Sequence, residues 1–279
     1  MSAPHLKLLA KPKLKILKRN RLIAVLGALI IVGAMILAFR SMSAASSGEI
    51  ADIPEAEKQN LGLMTSLPIY WNEGDVFAQL GSSEQAELPW VRQTLEKRYR
   101  LRPLDLLAPD GIGADPLADL QRLAIIQPCG ISPAGNVALD DWVRAGGRLL
   151  YVIDPMLSGE YEAPLGDPRH PTVTALVPPV IARWGLSLSF DEDQVEEPRL
   201  VEWGGVKDGV AFPVVKAGKF SIAENVMSPC AISAEGLVAR CDIGKGRVTL
   251  IADAALFEPR EGNEEAQYAI QAMFSKALD

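Results

Sequence analysis

From Leu22 to Phe39 the chain reads LIAVLGALIIVGAMILAF, without one charged side chain. As a helix this run would be about 27 Å long, close to the roughly 30 Å hydrocarbon core of a bilayer. The polar stripe of a surface helix is missing from it. Lys7, Lys11, Lys13, Lys15, Lys18, Arg19 and Arg21 precede the run, and only Arg40 follows closely. The positive-inside rule then holds the N-terminus in the cytoplasm and sends the remainder across. The expected organisation is a basic cytoplasmic tail over 1–21, a transmembrane helix over 22–39, a stalk over 40–66 and an extracytoplasmic domain over 67–279. The small residues from Ser41 to Ser47 leave a cleavable signal peptide as the rival reading, although signal cores usually run about 7–15 residues.

Charge divides the chain in the same place. The net charge is −7, yet residues 1–40 carry eight Lys and Arg and no acid. The remainder is therefore strongly acidic, which argues against nucleic acid as a partner. Two His offer little for a metal centre and three Cys are too few for a disulfide framework, so neither cofactor nor metal is expected. Cys230 and Cys241 flank two strands and a turn; a disulfide and separate buried thiols both remain open.

Beyond residue 66 the apolar spacing alternates between strand and helix. Leu88, Val91, Leu95 and Tyr99 mark an amphipathic helix, with a strand expected from Arg100. Leu123–Ile126 is a continuous apolar strand. Ser132-Pro133 then gives an N-cap and a first-turn proline, and Gly146-Gly147 a helix stop before the strand Arg148–Asp154. A strand, helix and strand within about thirty residues form a crossover unit. Their near-continuous apolar character implies a mostly parallel α/β sheet, Rossmann-like, with helices on both faces. A helix is expected over 172–184, a hairpin around Gly244-Lys245-Gly246 and a closing helix over 263–278.

Ligands of open α/β sheets sit beyond the carboxyl ends of the strands. Glu73, Asp75, Cys129, Asp154 and Asp253 fall there, with Arg169 and His170 in the long loop after Asp154. These residues form the candidate ligand-binding rim. Cys129 resembles a nucleophile position at a strand end, but the Gly-x-nucleophile-x-Gly elbow is absent, so no catalytic residue is assigned. Asp154 and Asp253 would bind a polar ligand or simply cap the turns that follow.

The stretch Leu139–Leu150, with Asp154-Pro155 after it and Gly244–Asp253 near the end, resembles a bacterial membrane-anchored family with a class I glutamine-amidotransferase-like domain. Members of that family are similar to auxiliary, gliding-motility-type components of ABC transporters. The resemblance implies a non-enzymatic accessory protein at the bacterial inner membrane, its periplasmic domain engaging a transporter permease, another membrane protein or a small ligand. The alternative is a hydrolase or transferase using Cys129, or the acids Asp154 and Asp253.

Overall fold

Three strands of the protein begin with arginine and continue without a polar interruption longer than one residue: RLAII, RLLYV and, after Gly246, RVTLI. Burial on such a scale requires neighbours on either side, and the structure supplies them. The computed structural model describes residues 52–72, 88–111, 113–164, 166–167, 170–171, 174–205, 208–224, 227–259 and 262–279. Strand β1 spans Gln59–Thr65, β2 Tyr99–Pro103, β3 Arg122–Ile126, β4 Arg148–Val152, β9 Cys230–Ser233, β10 Val238–Ile243 and β11 Gly246–Ile251. They form one sheet in the order β2-β1-β3-β4-β11-β10-β9.

The crossover from β3 to β4 is built as its spacing predicts. Ser132 Oγ accepts the Gly135 N–H at 3.0 Å, and Pro133 stands in the first turn of helix α2, Pro133–Ala145. Gly146 ends the helix at φ 130°, a conformation that favours glycine. β3 and β4 then pair in parallel, with Leu123 opposite Leu149 and Ile125 opposite Tyr151.

Elsewhere the expected fold class is corrected. β1 to β4 and β11 pair in parallel, but β10 and β9 run antiparallel, so the sheet is mixed. The turn at Gly244 dictates this, because only antiparallel strands can be joined by so short a connection. A Cβ on Gly246 would collide with the Val143 carbonyl, so the hairpin reaches α2 only with glycine there. Two separate antiparallel ribbons replace further sheet strands. One pairs β5 (Leu186–Ser189) with β8 (Lys219–Ile222), the other β6 (Arg199–Trp203) with β7 (Val210–Val214).

β1 lies inside the segment expected to be a stalk, yet its pairing partners are β2 and β3. Its Leu61 and Leu63 are buried in the core. Helix α3 is much shorter than the expected 172–184, covering Pro179–Arg183, because Pro178 and Pro179 cannot extend a helix toward the N-terminus. Helix α1, Trp90–Glu96, and the closing helix α4, Glu264–Leu278, are joined by a hydrogen bond from Gln271 Nε2 to the Thr94 carbonyl at 3.3 Å.

Cys230 and Cys241 stand opposite each other in the β9–β10 register and form a disulfide. Cys129 is a free, exposed thiol. The Leu22–Phe39 run lies outside the described residues, and among those described no helix is long and apolar enough to cross a membrane.

Candidate functional site

Beyond the carboxyl ends of β3, β4 and β11 lies a set of buried acids. Asp154 follows β4 and is 1 % exposed; Asp253 follows β11 and is 3 % exposed. The Asp154 carboxylate accepts the Met156 N–H on Oδ1 and the Ala254 N–H on Oδ2, both at 2.8 Å. Asp253 accepts the Ala255 N–H on Oδ1 and the Val215 N–H on Oδ2, again at 2.8 Å. Each acid thus ties the loop after its own strand to a distant segment. The spacing does what the sequence allowed as turn capping, but it reaches across the sheet as well.

A third acid completes the set. Glu258 is 2 % exposed and accepts the Ser158 N–H at 2.7 Å, the Ser158 hydroxyl at 2.9 Å and the Tyr161 hydroxyl at 3.4 Å. Three carboxyls in one dry place repel one another. Burial, with the charge of Glu258 added, pushes Asp154 up to about 7, against the pull of the Ala254 and Met156 N–H groups. Burial, followed by the charge of Asp154, raises Asp253 well above the usual carboxylate range. The two aspartates therefore hold their protons more strongly than ordinary carboxyls do.

Gln127 locks the cluster to the sheet. Its Nε2 donates to the Asp154 carbonyl at 3.0 Å and its Oε1 accepts the Asp154 N–H at 2.8 Å. The residue is 1 % exposed and holds φ at 43°, in the left-handed region. Backbone strain of this kind, of order 1–3 kcal/mol, persists only where the surroundings impose it. Here the reciprocal amide pair is the imposing contact.

Of the expected rim residues, Asp154 and Asp253 are brought together. His170 joins them indirectly: its ring stacks edge-on against Tyr161 at 5.6 Å, and Tyr161 reaches Glu258. Cys129 is exposed in the loop after β3, two residues beyond Gln127. Glu73, Asp75 and Arg169 lie outside the described residues. Gln127, Ser158, Tyr161 and Glu258 were not singled out from the sequence. Glu258 had a signal, since a lone acid after Ala254-Ala255-Leu256-Phe257 is an unusual charge in an apolar run. Among the described residues no group of three His, Cys, Asp or Glu is placed to hold a metal ion.

A groove of roughly 610 Å³ opens between α2 and α3, walled by Ile131, Pro133, Val137 and Val180, and shares no lining residue with the acid cluster. Its floor is fixed by Asn136, whose Oδ1 accepts the Val180 N–H at 3.2 Å. Asp140 fixes it too, accepting from Arg183 at 2.8 Å and from Arg144 and Trp184 at 2.9 Å. Burial opposes the Asp140 charge, but these three donors outweigh it and hold the carboxyl below its ordinary value.

No family model matches the chain. No curated protein matches it in sequence either. Among solved structures it is similar to an exo-β-1,4-mannosidase from an Opitutaceae bacterium, at 14% identity and a TM-score of 0.43, over 79% of this chain and 36% of that one. A β-galactosidase from Bacillus circulans matches at 10% identity and a TM-score of 0.42, over 78% of this chain and 31% of that one. A cytoplasmic protein from Salmonella typhimurium matches at 13% identity and a TM-score of 0.39, over 66% of this chain and 85% of that one. The chain spans about a third of the glycosidases it matches. At these scores no activity passes from them to this chain.

The comparisons nevertheless correct the reading made from resemblance. With no family model and no curated protein matching the chain, the amidotransferase-like family assignment is withdrawn. The non-enzymatic accessory role, the transporter association and the periplasmic placement rested on that assignment, and they are withdrawn with it.

Proposed function

We propose that the chain is an acid-dependent hydrolase, with Asp154 as its proton donor and acceptor. The observation that carries this reading is a strand-end carboxyl raised to about 7, in contact by charge with a second buried acid, Glu258. General acid–base catalysis works best when the catalytic group titrates near the working pH. The neighbouring Glu258 adds to the cost of ionising Asp154, so the Asp154 proton is available for transfer where an ordinary carboxyl would already have lost it. The Met156 and Ala254 N–H groups would steady the carboxylate left after proton transfer. Asp154 is buried, so turnover requires the segment from Met156 to Tyr161 to withdraw and admit substrate.

One observation favours a second, structural reading. Both oxygens of Asp154 and both of Asp253 already accept backbone N–H groups, which is the work of a clamp. The two readings part in a screen of chromogenic esters, amides, phosphates and glycosides, run with the natural chain and with Asp154→Asn. Turnover that follows a titration near pH 7, and is lost in a folded Asp154→Asn protein, supports the hydrolase. No turnover on any class, with only a lowered melting temperature in the variant, leaves the clamp.

A further inference from the structure

The opposite end of the sheet carries the reverse charge. Register places Arg122, Arg148 and Arg247 side by side at the amino ends of β3, β4 and β11. Neighbouring strands are about 4.8 Å apart, so the three guanidinium stems leave one face of the sheet in a row. Arg240 of β10 stands opposite Thr249, on the same face and two residues further along. Like charges placed directly across a ladder are destabilising, and this row has three. It does so within a chain of net charge −7.

The described counter-charges do not match the row. Arg247 Nε donates to Asp242 Oδ1 at 3.0 Å, and Arg122 Nη2 stands 3.6 Å from Asp279 Oδ1. Arg240 Nη2 donates to the Lys276 carbonyl at 3.0 Å, at the negative end of α4. Arg148, in the middle, has neither an ion pair nor a side-chain hydrogen bond among the described residues. The Nε–H groups of Arg122 and Arg240 are buried without a partner. Burial, and behind it the charges of Arg247 and Arg148, lower the proton affinity of the Arg240 guanidinium. The side chains of Arg122 and Arg247 are 18% and 33% exposed, so a small solute can reach the row.

We propose that this arginine row is a binding site for a phosphate group. Four guanidiniums face two carboxylates, and the excess of two positive charges matches a phosphate near neutral pH. The planar guanidinium fork suits tetrahedral oxyanions, and Arg148 has no described side-chain partner for the anion to displace. Arg148 holds the centre. The site stands at the far end of the strands from Asp154, so it is independent of the hydrolase reading.

Thermal unfolding at constant ionic strength, with inorganic phosphate replacing chloride, tests the proposal. The natural protein is expected to gain a saturable rise in melting temperature, with isothermal titration giving one site per chain. Arg148→Gln should weaken phosphate binding by about tenfold or more, and Arg148→Lys by less, since it keeps the charge and loses the fork. Flotation with phosphatidylcholine vesicles containing phosphatidic acid forms the second arm. Flotation that Arg148→Gln weakens, without binding to inorganic phosphate, would identify a lipid-borne phosphate as the occupant of the same row. Flotation unchanged in Arg148→Gln counts as no binding by the row. Should Arg148→Gln not fold, Arg247→Gln is read in the same way. Equal phosphate binding by the natural chain and the folded variants, or no binding in either arm, overturns the proposal.

Discussion

The two ends of the central sheet handle charge in opposite ways. At the carboxyl ends, Asp154, Asp253 and Glu258 are buried and surrounded by backbone N–H groups and hydroxyls, and burial drives the two aspartates toward keeping protons. At the amino ends, Arg122, Arg148 and Arg247 stay partly exposed. A carboxyl can shed its charge by binding a proton, whereas a guanidinium cannot at any ordinary pH. Crowded acids can therefore be enclosed. Crowded arginines must remain near solvent or find an anion.

The largest break in that contrast comes from Asp154→Ala. It strands the buried Ala254 N–H and removes the acceptor of the Met156 N–H, so a loss of about 3 kcal/mol is expected at pH 5 by chemical denaturation. At pH 8 the loss should be smaller, because the natural residue is then ionised beside Glu258.

A pH series sharpens the comparison next. Asp154 has a raised affinity for its proton in the folded chain, so the folded state binds more protons than the unfolded state between roughly pH 4 and about 7. Its contribution to stability is fully present below that window and is lost as the pH rises through it. About 2 kcal/mol should disappear between pH 5 and 8, and Asp154→Asn should flatten the slope. Asp253 acts in the same direction. A stability that rises over this range in the natural protein would refute the account of the cluster.

The smallest effect belongs to the other end. In chloride alone, Arg148→Gln is expected to stabilise the protein by about 0.5 kcal/mol, since it removes the central charge from a like-charged row. A guanidinium titration comparing midpoints at equal slope measures it. Destabilisation there would mean that Arg148 is packed rather than merely repelled.

Much of the scaffold was legible because its signals are local. Ser132-Pro133 and Gly146-Gly147 delimit α2 through capping and backbone freedom that no neighbour needs to confirm. The glycine-lysine-glycine turn defines its hairpin for the same reason. β1 was read as stalk because QNLGLMT is short, polar at its start and interrupted by Gly62. It becomes a strand because β2 and β3 stand on either side of it, and because Gly62 leaves room for Leu120, whose Cδ1 lies 2.7 Å from where a Cβ would be.

At the candidate site the division is the same. Asp154 and Asp253 could be picked out as acids ending apolar strands, a pattern visible along the chain. Gln127 could not, since its role depends on a partner 27 residues away. Nor could the meeting of Glu258 with Ser158, at a separation of 100 residues.

What the chain determines alone is therefore which segments are apolar, where helices start and stop, and which strands open with arginine. Cap geometry and side-chain period operate within a few residues and need no fold to act. Register and burial decide the rest. Only when β3, β4 and β11 lie in line do three separate arginines become one charged row and three separate acids one buried cluster. Coulombic and desolvation effects depend on distance in space and on exclusion of water, and neither is written in sequence order.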